Sequence, residues 1–251
     1  MRKNFFQVRN TKVFHMCMVA TIVVVILFSL GIVALKYNVE GETNMPFEID
    51  KITIISSSEG KDKETNGHKW AFDVNQNNDI YIYLNQNKKY GKKEIIKSIL
   101  VDNIQINKNT KQGNIKIYAP NVLEQGGVFY NSEENLVGNI EYKGAMETNF
   151  KTKEIANQGG ILAFRIANNN ITEIISDEDI INHQELLKKS GIKEEDLKIK
   201  VSFDFTIKVE SGKEYKTTIE QELPIQGIIE NGTTHTEIKN EGNIIFKRIK
   251  N

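Results

Sequence analysis

One cysteine, one tryptophan, three prolines and four histidines are all that the 251 residues hold of these types. The cysteine, Cys17, lies inside a long apolar run, so no intramolecular disulfide can form and any exported domain must be held by its core alone. No thiol nucleophile exists outside that run, which excludes cysteine-dependent transpeptidation. Cys17 also stands at the start of the run instead of its end, unlike a lipoprotein cysteine, and reads as a lipid-facing or packed thiol. Arginine is scarce as well, four against 29 lysines, beside 36 isoleucines and 28 asparagines, a bias of A/T-rich codons that points to a low-GC genome. Acidic residues are missing from the first 36 positions, which hold Arg2, Lys3, Arg9, Lys12 and Lys36. The remainder carries 28 basic against 33 acidic groups, a net charge of −5. Nucleic-acid binding needs a basic footprint, and that balance excludes it.

What is present begins with the apolar run at 13–35. It contains His15 near its start and no other ionisable group except Cys17. At 1.5 Å per residue it makes about 35 Å of helix, enough to cross a hydrocarbon core of ~30 Å with some tilt. It is apolar all round, unlike a core helix with one polar face. The basic residues before it put the N-terminal tail, 1–12, in the cytoplasm and the C-terminal part outside. A cleaved signal peptide is the competing reading, with small-residue sites at Gly31 and Ala34, but its apolar core spans only ~7–15 residues. Length favours an uncleaved, single-pass anchor.

Residues 36–45 are polar and read as a stalk ending at Pro46. Strand patterns follow through 46–251. Phe47, Ile49, Ile52 and Ile54 alternate with a one-residue slip near Lys51, the mark of a bulge. Trp70, Phe72 and Val74 lie on one face of a strand at 68–75; Gln76, Asn77, Asn78 and Asp79 predict a turn, and 80–85 a returning strand. At 94–106, Ile95, Ile96, Ile99 and Leu100 fit a helical turn, while Val101, Ile104 and Ile106 favour extended chain, and the β-branched enrichment tips the reading to a strand; further short strands are expected at 114–119, 139–142 and 161–167. Asn182 and Glu185 form a capping-box pattern ahead of Leu186 and Leu187, with Gly191 at the C′ position, so 176–197 reads as a short helical insertion. Ile199, Val201, Phe203, Phe205, Ile207 and Val209 alternate strictly with polar residues, and Ser211-Gly212 turns the chain into 213–223. A last strand is expected at 243–248. The fold class is mainly β: an antiparallel β-sandwich after a transmembrane helix, as one domain or as two tandem sandwiches split near 130–135.

Chemistry-bearing patterns are few. Asp73, Asn75, Asn77 and Asp79 have the spacing that opens a calcium loop, but Asn78 replaces the required glycine and Leu84 the bidentate glutamate. Asp177, Glu178, Asp179 and Glu194, Glu195, Asp196 fall where helices are expected to start, which accounts for their charge. A wall-directed hydrolase would need such carboxylates to converge in a cleft. His68, His183 and His235 have no neighbours at metal-ligand spacing. Tyr81 and Tyr83 make their strand apolar on both sides, either a covered central strand or an aromatic platform. No catalytic, cofactor-binding or metal-binding residue is assigned.

The segments Val39-Glu-Gly-Glu-Thr-Asn-Met-Pro-Phe47, Asn157-Gln-Gly-Gly160 and Phe246-Lys-Arg248 resemble those of uncharacterised single-pass, membrane-anchored envelope proteins of low-GC Gram-positive bacteria. The resemblance implies an envelope location and carries over no functional residue. The functional expectation is a non-enzymatic module on the membrane surface: residues 13–35 engage the lipid bilayer, and the β domain engages an envelope protein or a wall polymer. The alternative is a bitopic assembly subunit of a secretion or division complex.

Overall fold

The structure is a computed structural model that describes residues 3–39, 45–109, 112–121, 128–145 and 154–249, with side chains of the first helix described for 13–34. The chain divides into two compact units, Met1–Thr43 and Asn44–Asn251. The first is one helix, α1 (Lys3–Val39). Within it Val13–Ala34 is long and apolar enough to cross a membrane, and none of its residues is buried. The run holds two hydroxyls, Thr21 and Ser29, and the first is satisfied locally, because Thr21 Oγ1 donates to the Cys17 carbonyl at 2.9 Å. Helix extends through most of the expected tail and through Tyr37 to Val39 of the expected stalk; 40–44 lie outside the described residues.

The second unit is mainly β, two sheets facing each other as a sandwich. Sheet A contains β1 (Phe47–Asp62), β2 (Trp70–Gln86), β4 (Asn114–Tyr118), β7 (Gly159–Ser176) and β10 (Thr233–Lys239), in the order β10-β1-β2-β7-β4. Sheet B contains β3 (Ile96–Lys108), β5 (Ile140–Gly144), β6 (Glu154–Ile155), β8 (Ile199–Val209), β9 (Glu214–Glu222) and β11 (Lys247–Ile249), in the order β11-β9-β8-β3-β5-β6. Among the described pairings only β5 with β6 is parallel.

The alternation at 199–209 yields β8 with the expected bounds, its odd residues buried in the core between the sheets. The slip near Lys51 is a real irregularity: the β1–β2 register shifts between Ile49 and Lys51, which lets Phe47 and Ile49, then Ile52 and Ile54, all point inward. The main correction concerns Gln76, Asn77, Asn78 and Asp79. They form no turn, but lie in the middle of β2, which runs unbroken for 17 residues between β1 and β7. The hairpin is instead β1–β2, turned by 63–69. The last strand is shorter than expected, and β10, an edge strand of mostly polar residues, carries no period strong enough to reveal it.

The core is in two parts. The larger lies between the sheets, where Phe164 meets Phe203 edge-to-face at 5.3 Å and Phe205 meets Phe246 at 6.1 Å. The smaller lies where β1, β2 and β7 run on past the end of sheet B. There Phe72, Val74, Ile171 and Ile174 are covered by the short helices α2 (Leu186–Ser190) and α3 (Ile228–Asn231) through Leu186, Leu187 and Ile228, with Leu197. Asn182 caps this insertion: its side chain accepts from Gln184 N and its carbonyl from Glu185 N, and Gly191 ends α2 at φ 69°. A polar seam divides the two cores: Ser56, Gln76, Asn78 and Asn168 are fully buried. Ser56 Oγ donates to Asn78 Oδ1 at 2.7 Å, Asn78 Nδ2 to the Ile166 carbonyl at 3.0 Å, and Gln76 Nε2 to the Leu197 carbonyl at 3.1 Å.

β4 pairs with β7 only from Arg165 to Asn169, so the preceding stretch of β7 has a free edge. Tyr142, reaching across from β5, closes it: its hydroxyl accepts from Ala163 N at 3.0 Å and donates to Ala163 O. Burial pushes the phenol up to about 12, against the opposing pull of the Ala163 backbone bond. The raised value means that Tyr142 favours the folded state fully below its unfolded pKa of about 10, and that this stability is lost as pH rises toward 12. Tyr142→Phe strands the Ala163 groups and is expected to cost roughly 2–4 kcal/mol at neutral pH. Urea unfolding at pH 7 and across pH 9 to about 12 checks both points; the variant is expected to lose less stability than the native chain in the alkaline range.

Candidate functional site

The end of sheet A opposite the entry of the chain at Met45 is built from segments far apart in sequence: the β1–β2 turn, the end of β7 with the residues that follow, and α2. Asn66 and Gly67 turn the hairpin at φ 47° and 95°, a conformation for which asparagine and glycine are the suited residues. The turn is strapped to the end of β7. Asp177 receives His68 Nδ1 at 3.0 Å on one oxygen and the Lys69 backbone N–H at 3.1 Å on the other. The His68 ring, and then the Lys69 N–H, hold its carboxyl below the usual range. Lys69 Nζ reaches Asp179 at 2.6 Å, and Lys189 of α2 pairs with Glu178.

This strap fixes the only tryptophan. Trp70 Nε1 donates to the Glu178 carbonyl at 2.9 Å, and the indole stacks on Phe72 with an interplanar angle of 11°. His183 meets the same Phe72 edge-on at 5.2 Å, so three rings form a row with buried Phe72 between the exposed Trp70 and His183. Trp70 is 36 % exposed, and two isoleucines of the same end are more so, Ile175 at 52 % and Ile180 at 83 %. Ile175 pairs with Ala71 and so lies on the other face of the sheet from the indole. A partly open indole with a fixed orientation, beside ion pairs, can stack on or pack against a partner.

The acids read from the sequence do not converge. Asp177, Glu178 and Asp179 precede no helix, since helical residues begin only at His183; they serve instead as the strap. Glu194, Glu195 and Asp196 do open a helical turn, where Glu194 also accepts the Gly227 N–H at 2.6 Å. Asp73, Asn75, Asn77 and Asp79 lie along an extended strand and so spread over about 20 Å, too far to share an ion. Asp79 is bound bidentately by Arg165, at 2.6 and 2.9 Å, and Arg165 stacks over Phe129 at 5.0 Å. Asn77 bridges Glu59 and Asn131. Tyr81 lies under the same Phe129, and Tyr83 under Lys51 Nζ at 4.7 Å, so the central strand is partly covered on its outer face too. His183, against Phe72, and His68, bonded to Asp177, both lie at this end of the sheet, the tip, whereas His235 stands on β10 opposite Ile55.

Sequence reasoning missed one carboxylate pair. Asp102 and Asp204 are direct cross-strand partners on β3 and β8, and no sequence spacing reveals a pairing 102 positions apart. Burial opposes ionisation of Asp204, but Lys216 at 2.8 Å, Thr218 at 2.6 Å and Asn103 at 3.2 Å outweigh it and hold its carboxyl below the usual range. That set of partners makes Asp204 the centre of a buried ion-pair cluster, whereas Asp102 Oδ1 beside it is buried without a hydrogen-bond partner. Among the described residues no three His, Cys, Asp or Glu side chains group so as to hold a metal ion. Comparison with protein-family models, curated proteins and solved structures finds no match to this chain.

Trp70 is the sole tryptophan, so intrinsic tryptophan fluorescence reports the tip alone. Asp177→Ala removes the acceptor that ties His68 and Lys69 to the end of β7. It is expected to raise acrylamide quenching of Trp70 while leaving the global unfolding midpoint in place. A shifted midpoint with unchanged quenching would mean that the strap supports the core instead of the tip.

Proposed function

We propose that this protein is a membrane-anchored binding module of the cell envelope. The helix at 13–35 stays in the bilayer as a single span with its N-terminus in the cytoplasm, and the β domain outside presents its far end to a partner, another envelope protein or a wall polymer. The carrying observation is Trp70, about one-third exposed yet held by a hydrogen bond to the Glu178 carbonyl and a stack on Phe72. Binding energy at protein surfaces concentrates on such aromatic anchors, and an anchor already ordered loses little entropy on docking. The basic residues before the helix, and the lack of acids there, support the orientation. The acids that a hydrolase would need are engaged in pairing instead.

The test is site-specific photo-crosslinking from position 180 in intact cells. One defined partner is expected to be captured, and Trp70→Ala is expected to weaken that capture by about 2 kcal/mol, roughly thirtyfold in affinity, without changing the amount of protein in the membrane. Replacing residues 13–35 by an unrelated apolar helix should leave capture intact. Loss of capture in that chimera alone would assign recognition to the helix, as in an assembly subunit, and would overturn the binding-module reading.

A further inference from the structure

The opposite end of the β domain, where the chain enters at Met45, carries a different surface. Between β2 and β3 the loop reads Asn87-Lys88-Lys89-Tyr90-Gly91-Lys92-Lys93-Glu94, four lysines in six positions. All four are exposed and none forms an ion pair with a described residue. The acid of the loop does not neutralise them, because Glu94 is buried against Lys213 at 3.2 Å. Lys213 Nζ also reaches the Tyr90 hydroxyl at 3.4 Å, so the inner side of the loop is tied down and its lysines are turned out. Asn87 N donates to the Pro46 carbonyl at 2.9 Å, which joins the loop to the point of chain entry. Beside it lies an open polar cleft of about 680 Å³, lined by Lys88, Lys89, Asn85, Gln86, Asn87 and Gln158, with Glu48 as its one acid. Ammonium and amide donors around a cleft of that size suit a phosphate ester.

We propose that this loop and cleft dock on anionic phospholipid headgroups of the membrane that the N-terminal helix crosses. The proposal rests on the anchor reading above. Its second support is the tether: six residue steps separate Val39, the last described helical residue, from Met45, and they span at most about 22 Å. The tether thus limits how far the chain entry, and the loop bonded to it, can lie from the end of the helix, and the charge of the lysines is opposite to that of an anionic surface. A basic group within a Debye length of such a surface is attracted to it, and the attraction is weakened by salt. The domain as a whole is acidic, so the contact selects this end and leaves the tryptophan end facing away.

The test uses the full chain in lipid nanodiscs, with a spin label at Gly91→Cys in a Cys17→Ser background. A Cβ at Gly91 meets no atom within 4 Å, so the position is open to substitution. Label accessibility to a water-soluble relaxation agent is compared between discs of phosphatidylcholine and discs of phosphatidylcholine with phosphatidylglycerol. Protection is expected only in the anionic discs, with reversal at high salt. Each Lys→Gln change among residues 88, 89, 92 and 93 should lower the docked-to-undocked ratio roughly fivefold. Equal accessibility in both discs overturns the proposal, as does equal protection in both. Protection by a soluble glycerol-phosphate polymer, as strong in detergent as in anionic discs, would make that polymer the occupant and also overturn it. The anchor reading is tested separately by alkaline carbonate extraction, whose result does not depend on residues 88–93.

Discussion

Everything in the β domain hangs on one strand. β2 is hydrogen-bonded to β1 on one side and to β7 on the other along nearly its whole length, and each end of it builds a different surface. Such length is unusual for a strand, and a long central strand raises a problem of register: a slip of one residue would exchange every inward and outward side chain. The middle of β2 removes the degeneracy. Gln76 and Asn78 point inward and find only specific acceptors, the Leu197 and Ile166 carbonyls, while Ser56 donates to Asn78. Asp79 points outward to the Arg165 fork. Slipped by one, the strand would turn Asp79 into the core without the Arg165 fork, at several kcal/mol for the charge alone, and would take the already covered Asn77 from Glu59 and Asn131.

The same residues explain where sequence reading stopped. Asn and Asp are turn formers because their short side chains can bond their own backbone, and a run of four between two apolar stretches has the pattern of a hairpin loop. What overrides that preference lies 88 and 121 positions away, at Ile166 and Leu197, beyond any local window. Where the informative contacts are local, reading succeeded. The alternation of β8 states its own two faces, and the slip at Lys51 announces the bulge because apolar residues on both sides of it must reach one core. The edge strand β10 fails the test from the other direction: it faces solvent on much of its surface and needs no apolar period, only the backbone of β1.

The tip follows the same logic. Its aromatic row could be suspected from Trp70 and Phe72, which share a strand face, but neither the Asp177 strap nor the His183 ring is local to them. Three acids in succession suggested a helix start, since charge near a helix N-terminus is favourable. In the fold they meet His68, Lys69 and Lys189 instead. A charge run carries no address for its partners, and exposed pairs of this kind add little to global stability. Their effect is local order at a surface whose indole would otherwise be free to turn.

The seam that divides the two cores also carries a cost. Both amide atoms of Asn168 and the Oε1 of Gln76 are buried without a hydrogen-bond partner, a few kcal/mol that an apolar seam would not incur. The backbone there is irregular too. Opposite the single residue Asn75, β7 has three, with Asn170 at φ 55° and its N–H given to Asn75 Oδ1 at 2.8 Å. A purely hydrophobic seam would fuse the cores into one but would leave the register of three long strands to packing alone, and aliphatic side chains accept many neighbours equally well. The polar seam trades stability for a defined alignment. Because β1, β2 and β7 run through it unbroken, that alignment extends from the lysine loop at one end of β2 to the indole at the other.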